Sequence, residues 1–101
     1  MKQFFQNEAY SPRNTKEKAL INTFLKLKTE KEVANFIRDL FTLPEIEEFA
    51  NRLEMARLLT KGYSYKRVAK EMNVSTTTVT RVAHWLYRGC GGYRKVLNLK
   101  H

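Results

Sequence analysis

The segment Tyr65–Leu86, YKRVAKEMNVSTTTVTRVAHWL, constrains the fold more than any other stretch of the chain. Its apolar residues recur at helical spacing in two short runs, and the break between them leaves room only for a tight turn. Two helices joined so closely must bury one contact face. Val68, Met72, Val74, Val79 and Val82 supply it, and Ala69 is small where the second helix crosses. Asn73 stands where the turn needs a residue that tolerates a left-handed backbone. Ser64 and Ser75 are side chains that cap helix starts. The pattern predicts a helix-turn-helix at residues 65–86.

The rest of the chain also reads as helix, with no alternating strand pattern of useful length and no repeat, so the expected class is all-α. Residues 1–13 read as a flexible arm ending at Ser11-Pro12, and residues 14–101 as one helical domain. A first helix is expected from about Thr15 to Lys28, with Ala19, Leu20, Phe24 and Leu27 on one face. Thr29-Glu30-Lys31-Glu32 is a capping box opening a second helix, whose apolar stripe is Val33, Phe36, Ile37, Leu40 and Phe41. Thr42-Leu43-Pro44-Glu45 repeats the signal, with Pro44 tolerated in the first turn. The third helix carries Ile46, Phe49, Ala50, Leu53, Ala56 and Leu59, and Gly62 is its stop. Gly89, Gly91 and Gly92 break the chain before a terminal helix at about Tyr93–Leu99.

Charge narrows the function. The net charge is +9, and it is unevenly placed. Residues 61–95 hold Lys61, Lys66, Arg67, Lys70, Arg81, Arg88, Arg94 and Lys95 against the single acid Glu71. Residues 30–60 are acidic by comparison. A local positive field attracts nucleic acid. The second helix of the pair adds Ser75, Thr76, Thr77, Thr78, Thr80 and Arg81, short polar groups able to meet base edges and the thymine methyl in a major groove. Lys66, Arg67 and Lys70 on the preceding helix suit phosphate contact. A non-binding helical pair would need neither the threonines nor the charge. Few aromatics lie among these polar positions, which disfavours a base-stacking platform for single strands.

Other chemistries find no support. No apolar run is long enough to span a membrane, and the N-terminus turns polar at once, so a cytoplasmic protein is expected. Cys90 is the only cysteine, which rules out an internal disulfide. Cys90 and His84 have no third catalytic group, the two histidines have no metal-ligand spacing, and Gly89-Cys90-Gly91-Gly92 lacks the lysine of a phosphate loop. Neither an enzyme nor a cofactor is expected.

Residues 42–86 resemble the tryptophan repressor superfamily, in particular its small TrpR-related group from Gram-positive bacteria. The shared features are Leu43-Pro44-Glu45, Arg52, Leu58-Leu59-Thr60-Lys61-Gly62, Ser64 and Val79-Thr80-Arg81. The resemblance implies an intertwined all-helical homodimer, with the first three helices and the last forming a core that holds each helix-turn-helix. It also implies an effector pocket framed by two arginines, which fall on Arg52 and Arg81. Val82 and Trp85 replace a glycine and a serine of the family there and are larger, which stands against tryptophan as corepressor. Trp85 reads first as a core aromatic, and alternatively as an indole occupying the pocket itself. The expected activity is sequence-specific binding of a palindromic duplex by a homodimer. The alternative is a helical adaptor that docks an acidic protein partner and binds DNA only nonspecifically.

Overall fold

The computed structural model describes residues 8–99, all of their regular structure helical. It has α1 (Thr15–Phe24), α2 (Glu30–Leu40), α3 (Leu43–Thr60), α4 (Tyr65–Met72), α5 (Thr76–Arg88) and α6 (Gly92–Val96). No helix among the described residues is long and apolar enough to cross a membrane. Residues 1–7 of the expected arm lie outside the described residues. Two compact units are resolved among the described residues, one of residues 10–48 and one of residues 49–99 together with residues 8–9.

In the unit Tyr10–Glu48, local capping chemistry sets the helix boundaries. The Asn14 Oδ1 accepts from the Glu17 N–H at 2.9 Å and starts α1. Glu17 in turn ties down the residues before the helix. Its carboxylate accepts from the Tyr10 hydroxyl at 2.6 Å and from the Arg13 Nε at 2.6 Å. These contacts, the Tyr10 hydrogen bond foremost, hold the Glu17 carboxyl below its usual range. The α-helix stops at Phe24, short of the expected Lys28, because the next N–H groups of Leu25, Lys26 and Leu27 close three-residue turns instead. Thr29 caps α2 as its box predicts, accepting from the Glu32 N–H at 3.1 Å. Glu32 reaches back one residue further than expected, to the Lys28 N–H at 2.8 Å. The Thr42–Glu45 box forms in both directions, at 2.9 Å from the Thr42 N–H and 3.3 Å from the Glu45 N–H.

This unit buries none of its described side chains. Phe24 and Phe36 meet edge to face at 5.4 Å, yet Leu20, Ile21, Phe24 and Leu40 stay exposed.

The unit from Phe49 onward has a defined core. Met55, Ala56, Leu58 and Leu59 of α3 meet Val68 and Ala69 of α4 and Val79, Val82, Ala83 and Leu86 of α5. α4 packs on α5, and α5 on α6. The apolar stripe expected for α3 is corrected here. Met55 and Leu58 are core residues, whereas Phe49 and Leu53 are exposed. α3 carries apolar residues on two roughly opposite faces, and α4 and α5 cover only one of them. α6 is shorter than expected. It ends at Val96, and a left-handed Asn98 lets the Leu99 N–H donate to the Arg94 carbonyl at 2.8 Å.

Gly89 has a specific steric task after α5. A Cβ there would overlap the Trp85 carbonyl oxygen, which is backbone and has no freedom to move aside. Gly89→Ala is therefore expected to cost about 1–3 kcal/mol, in the range of forced overpacking. Thermal unfolding should fall by about 4–8 °C for each kcal/mol. An unchanged midpoint would mean that the chain leaves α5 by another path.

Candidate nucleic-acid interface

α4 and α5 form the helix-turn-helix, and every junction is held by short-range hydrogen bonds. At its start, Gly62 takes φ +94°, and the Gly62 and Tyr63 N–H groups return to the Leu59 and Leu58 carbonyls at 3.0 and 3.3 Å. This closes α3 with a Schellman turn. Ser64 opens α4, its Oγ accepting from the Arg67 N–H at 3.0 Å. Asn73 takes φ 55° and ψ 49°, the left-handed conformation expected of it. Its turn repeats the Schellman pattern, with the Val74 N–H donating to the Ala69 carbonyl at 3.0 Å. Ser75 opens α5, accepting from the Thr78 N–H at 3.2 Å. The two helices are therefore fixed in angle by the turn as well as by the valines and Ala69 between them.

α5 has two contrasting sides. Val79, Val82, Ala83 and Leu86 face the core. The opposite side exposes Thr76, Thr77, Thr80 and Arg81, followed by His84, Trp85 and Arg88. The hydroxyls divide by task. Ser75 and Thr78 share a 3.1 Å contact at the cap, and the Thr80 hydroxyl donates to the Thr76 carbonyl at 2.9 Å. Their first commitment is to the helix itself. The side chains of Thr76, Thr77 and Arg81 hold no such bond among the described residues, so their polar side-chain atoms are available to a ligand.

Lys66, Arg67 and Lys70 are all exposed on α4. The structure thus places the nine predicted residues on one helix-turn-helix, with Thr78 half-buried against the cap and the others exposed. Arg67 differs from the two lysines in being held. Its guanidinium carbon lies 3.8 Å from the Tyr63 ring centroid, and its Nε lies 3.8 Å from the Glu71 carboxylate. Neither Tyr63 nor Glu71 was singled out by the sequence as a site residue. The signal was present in their spacing, since positions 63, 67 and 71 repeat every four residues.

Two expectations are corrected. Trp85 is not a core aromatic of this unit, being 54% exposed with its ring edge to face against His84 at 5.2 Å. The helical period puts it beside His84 on the outer side of α5, past the stripe that Val82 and Leu86 bury. Arg94 does not contribute to the exposed positive field, since it is buried on α6. Of the other residues proposed to frame a pocket, Arg52 is exposed with its guanidinium 5.2 Å from the Phe49 ring centroid. Its charge also opposes the upward push that burial gives the Tyr93 hydroxyl. Arg81 sits on the outer side of α5 beside Thr77.

Comparison with known proteins gives a consistent assignment. A family model described as Trp repressor protein matches residues 16–101. The chain is 39% identical over 79 residues to an uncharacterized Bacillus subtilis (strain 168) protein, YerC, covering 78% of this chain and 76% of that one. The crystal structure of a TrpR-like protein from Eubacterium eligens ATCC 27750 matches with a TM-score of 0.78 and 29% identity, over 88% of this chain and 96% of that one.

Proposed function

The chain belongs to the Trp repressor family, a family of DNA-binding regulators, and from that premise we propose that it is a sequence-specific transcription regulator acting on duplex DNA as a homodimer. The observation that carries this reading is the two-sidedness of α5. One side is locked into the core, and the other offers the side chains of Thr76, Thr77 and Arg81, which hold no hydrogen bond among the described residues. In the proposed complex α5 lies in the major groove. Arg81 and the α5 hydroxyls of Thr76, Thr77 and Thr80 meet base edges or adjoining phosphates, while Ser75 and Thr78 hold the entry of the helix. Lys66, Arg67 and Lys70 contact the backbone on the α4 side and set the docking angle.

Dimerisation is supported by the apolar surface that one chain leaves uncovered. The unit Tyr10–Glu48 buries no side chain, and α3 separately exposes Phe49 and Leu53; each of these apolar surfaces is stabilised when a second copy covers it. A twofold dimer then reads a palindrome whose half-sites lie about 34 Å apart, one turn of duplex.

The test is retention of sheared genomic duplex from the host on immobilised protein, washed at rising salt. Backbone-only binding is released steeply between about 50 and 200 mM salt. A small set of fragments held at the higher salt supports sequence-specific reading. Uniform release of all fragments would favour an adaptor whose basic surface serves a protein partner.

A further inference from the structure

We infer that Tyr63 is a positioning residue for DNA recognition: its ring holds the Arg67 guanidinium ready for a backbone phosphate, and Glu71 is the free-state partner which that phosphate displaces. The inference rests on the DNA-binding reading and assigns how one contact of that surface is prepared.

The ladder Tyr63, Arg67, Glu71 runs up one side of the helix-turn-helix. Its base is rigid. The left-handed Gly62 and the Tyr63 N–H bond to Leu58 fix the backbone at Tyr63, and the ring packs against the hydrophobic core. Arg67 sits in the first turn of α4, anchored through its own N–H to the Ser64 cap. A guanidinium carbon 3.8 Å from a ring centroid is in stacking contact, so the side chain has a defined resting place on a fixed surface. The Glu71 contact is of another kind. At 3.8 Å, with both side chains more than half exposed, it is a weak, screened pair that yields to a stronger anion.

An unheld arginine loses many rotamers when it meets a phosphate, and that ordering weakens binding. A stacked one has already lost them, and stacking leaves its N–H edge free to donate. The ring therefore favours binding without touching DNA, and it does so only through Arg67.

The experiment uses the full chain and the duplex it retains, with Tyr63→Phe, Tyr63→Leu, Arg67→Ala and the double variant Tyr63→Leu/Arg67→Ala. Tyr63→Phe keeps the ring and is expected to bind like wild type. Tyr63→Leu keeps apolar packing but loses the ring, and should weaken binding by about two- to fivefold. Added to Arg67→Ala, it should weaken binding no further. Arg67→Ala should reduce the salt slope by about one, while Tyr63→Leu leaves the slope unchanged. In the free protein, ring-current shifts of the Arg67 side-chain protons should persist in Tyr63→Phe and vanish in Tyr63→Leu.

Equal weakening by Tyr63→Leu with and without Arg67 would overturn the inference, because the ring would then act only through the fold. So would lost ring-current shifts with unchanged affinity. If wild type retains no duplex while those shifts are present, the DNA-binding reading fails and the positioning role fails with it. A stack that is intact but unused in a protein that does bind duplex overturns the positioning role alone.

Discussion

If the chain dimerises as proposed, Phe24→Glu is expected to leave it monomeric and to weaken duplex binding by about 100-fold or more, the scale of a central interface residue. Phe24 is the natural site because it combines two properties. It is 38% exposed in the single chain, and it meets Phe36 edge to face, so α1 and α2 present their aromatic surface together. Leu20, Ile21 and Leu40 of the same unit are exposed as well. A segment that buries nothing gains little from folding alone, since burial of apolar area is the main favourable contribution. Once a second copy covers it, a carboxylate at position 24 would lose its water without a partner. The effect on DNA follows from geometry. Two linked reading heads bind their half-sites with a high effective concentration, and separated heads lose that advantage. Sedimentation and a binding titration check this, and far-UV circular dichroism checks that the helices persist. A variant that sediments and binds like wild type would remove α1 from the dimer surface.

Arg81→Ala is expected to weaken operator binding by about 1–3 kcal/mol, the range for loss of one arginine–base contact, or roughly 5- to 150-fold. Stability should change little. Arg81 is exposed and holds no internal hydrogen bond among the described residues, and such surface substitutions fall within about ±0.5 kcal/mol. Thr77→Ala has the same structural neutrality, and alanine favours helix more than threonine does. Its expected signature is relaxed preference at one symmetric pair of operator positions. The contrast with Thr78 is informative. Thr78→Ala removes a hydroxyl that contacts the Ser75 cap at 3.1 Å, so its loss falls on the start of α5 and on stability. Affinity titrations paired with thermal melts separate the two cases. Equal affinity of Arg81→Ala and wild type would remove Arg81 from the contact surface.

Much of this fold was legible in the sequence because its punctuation is local. Thr29, Thr42, Ser64 and Ser75 each bond a backbone N–H three residues on, as their sequence positions imply. Gly62 and Asn73 take the left-handed conformations that end α3 and α4. The helix-turn-helix was likewise readable, since its apolar and polar positions alternate with one clear period. What was illegible depends on neighbours distant in sequence. α3 is apolar on two faces, and composition alone does not choose the one that α4 and α5 cover. Trp85 follows the apolar pattern of a core residue but lies just outside the stripe that Val82 and Leu86 occupy. Arg94 reads as surface charge until α6 is seen to bury it. The Tyr63–Arg67 stack needed both the Gly62 turn and the Ser64 cap to be in place before its spacing carried meaning.

Selection from a random duplex library at about 150 mM salt, where backbone-only binding is weak, tests the central claim most directly. The expected result is an enriched palindrome with half-sites one helical turn apart, lost when the library is presented to Phe24→Glu and weakened with Arg81→Ala. Recovery of no common motif by the wild-type protein, across a range of salt, would contradict sequence-specific reading by α5.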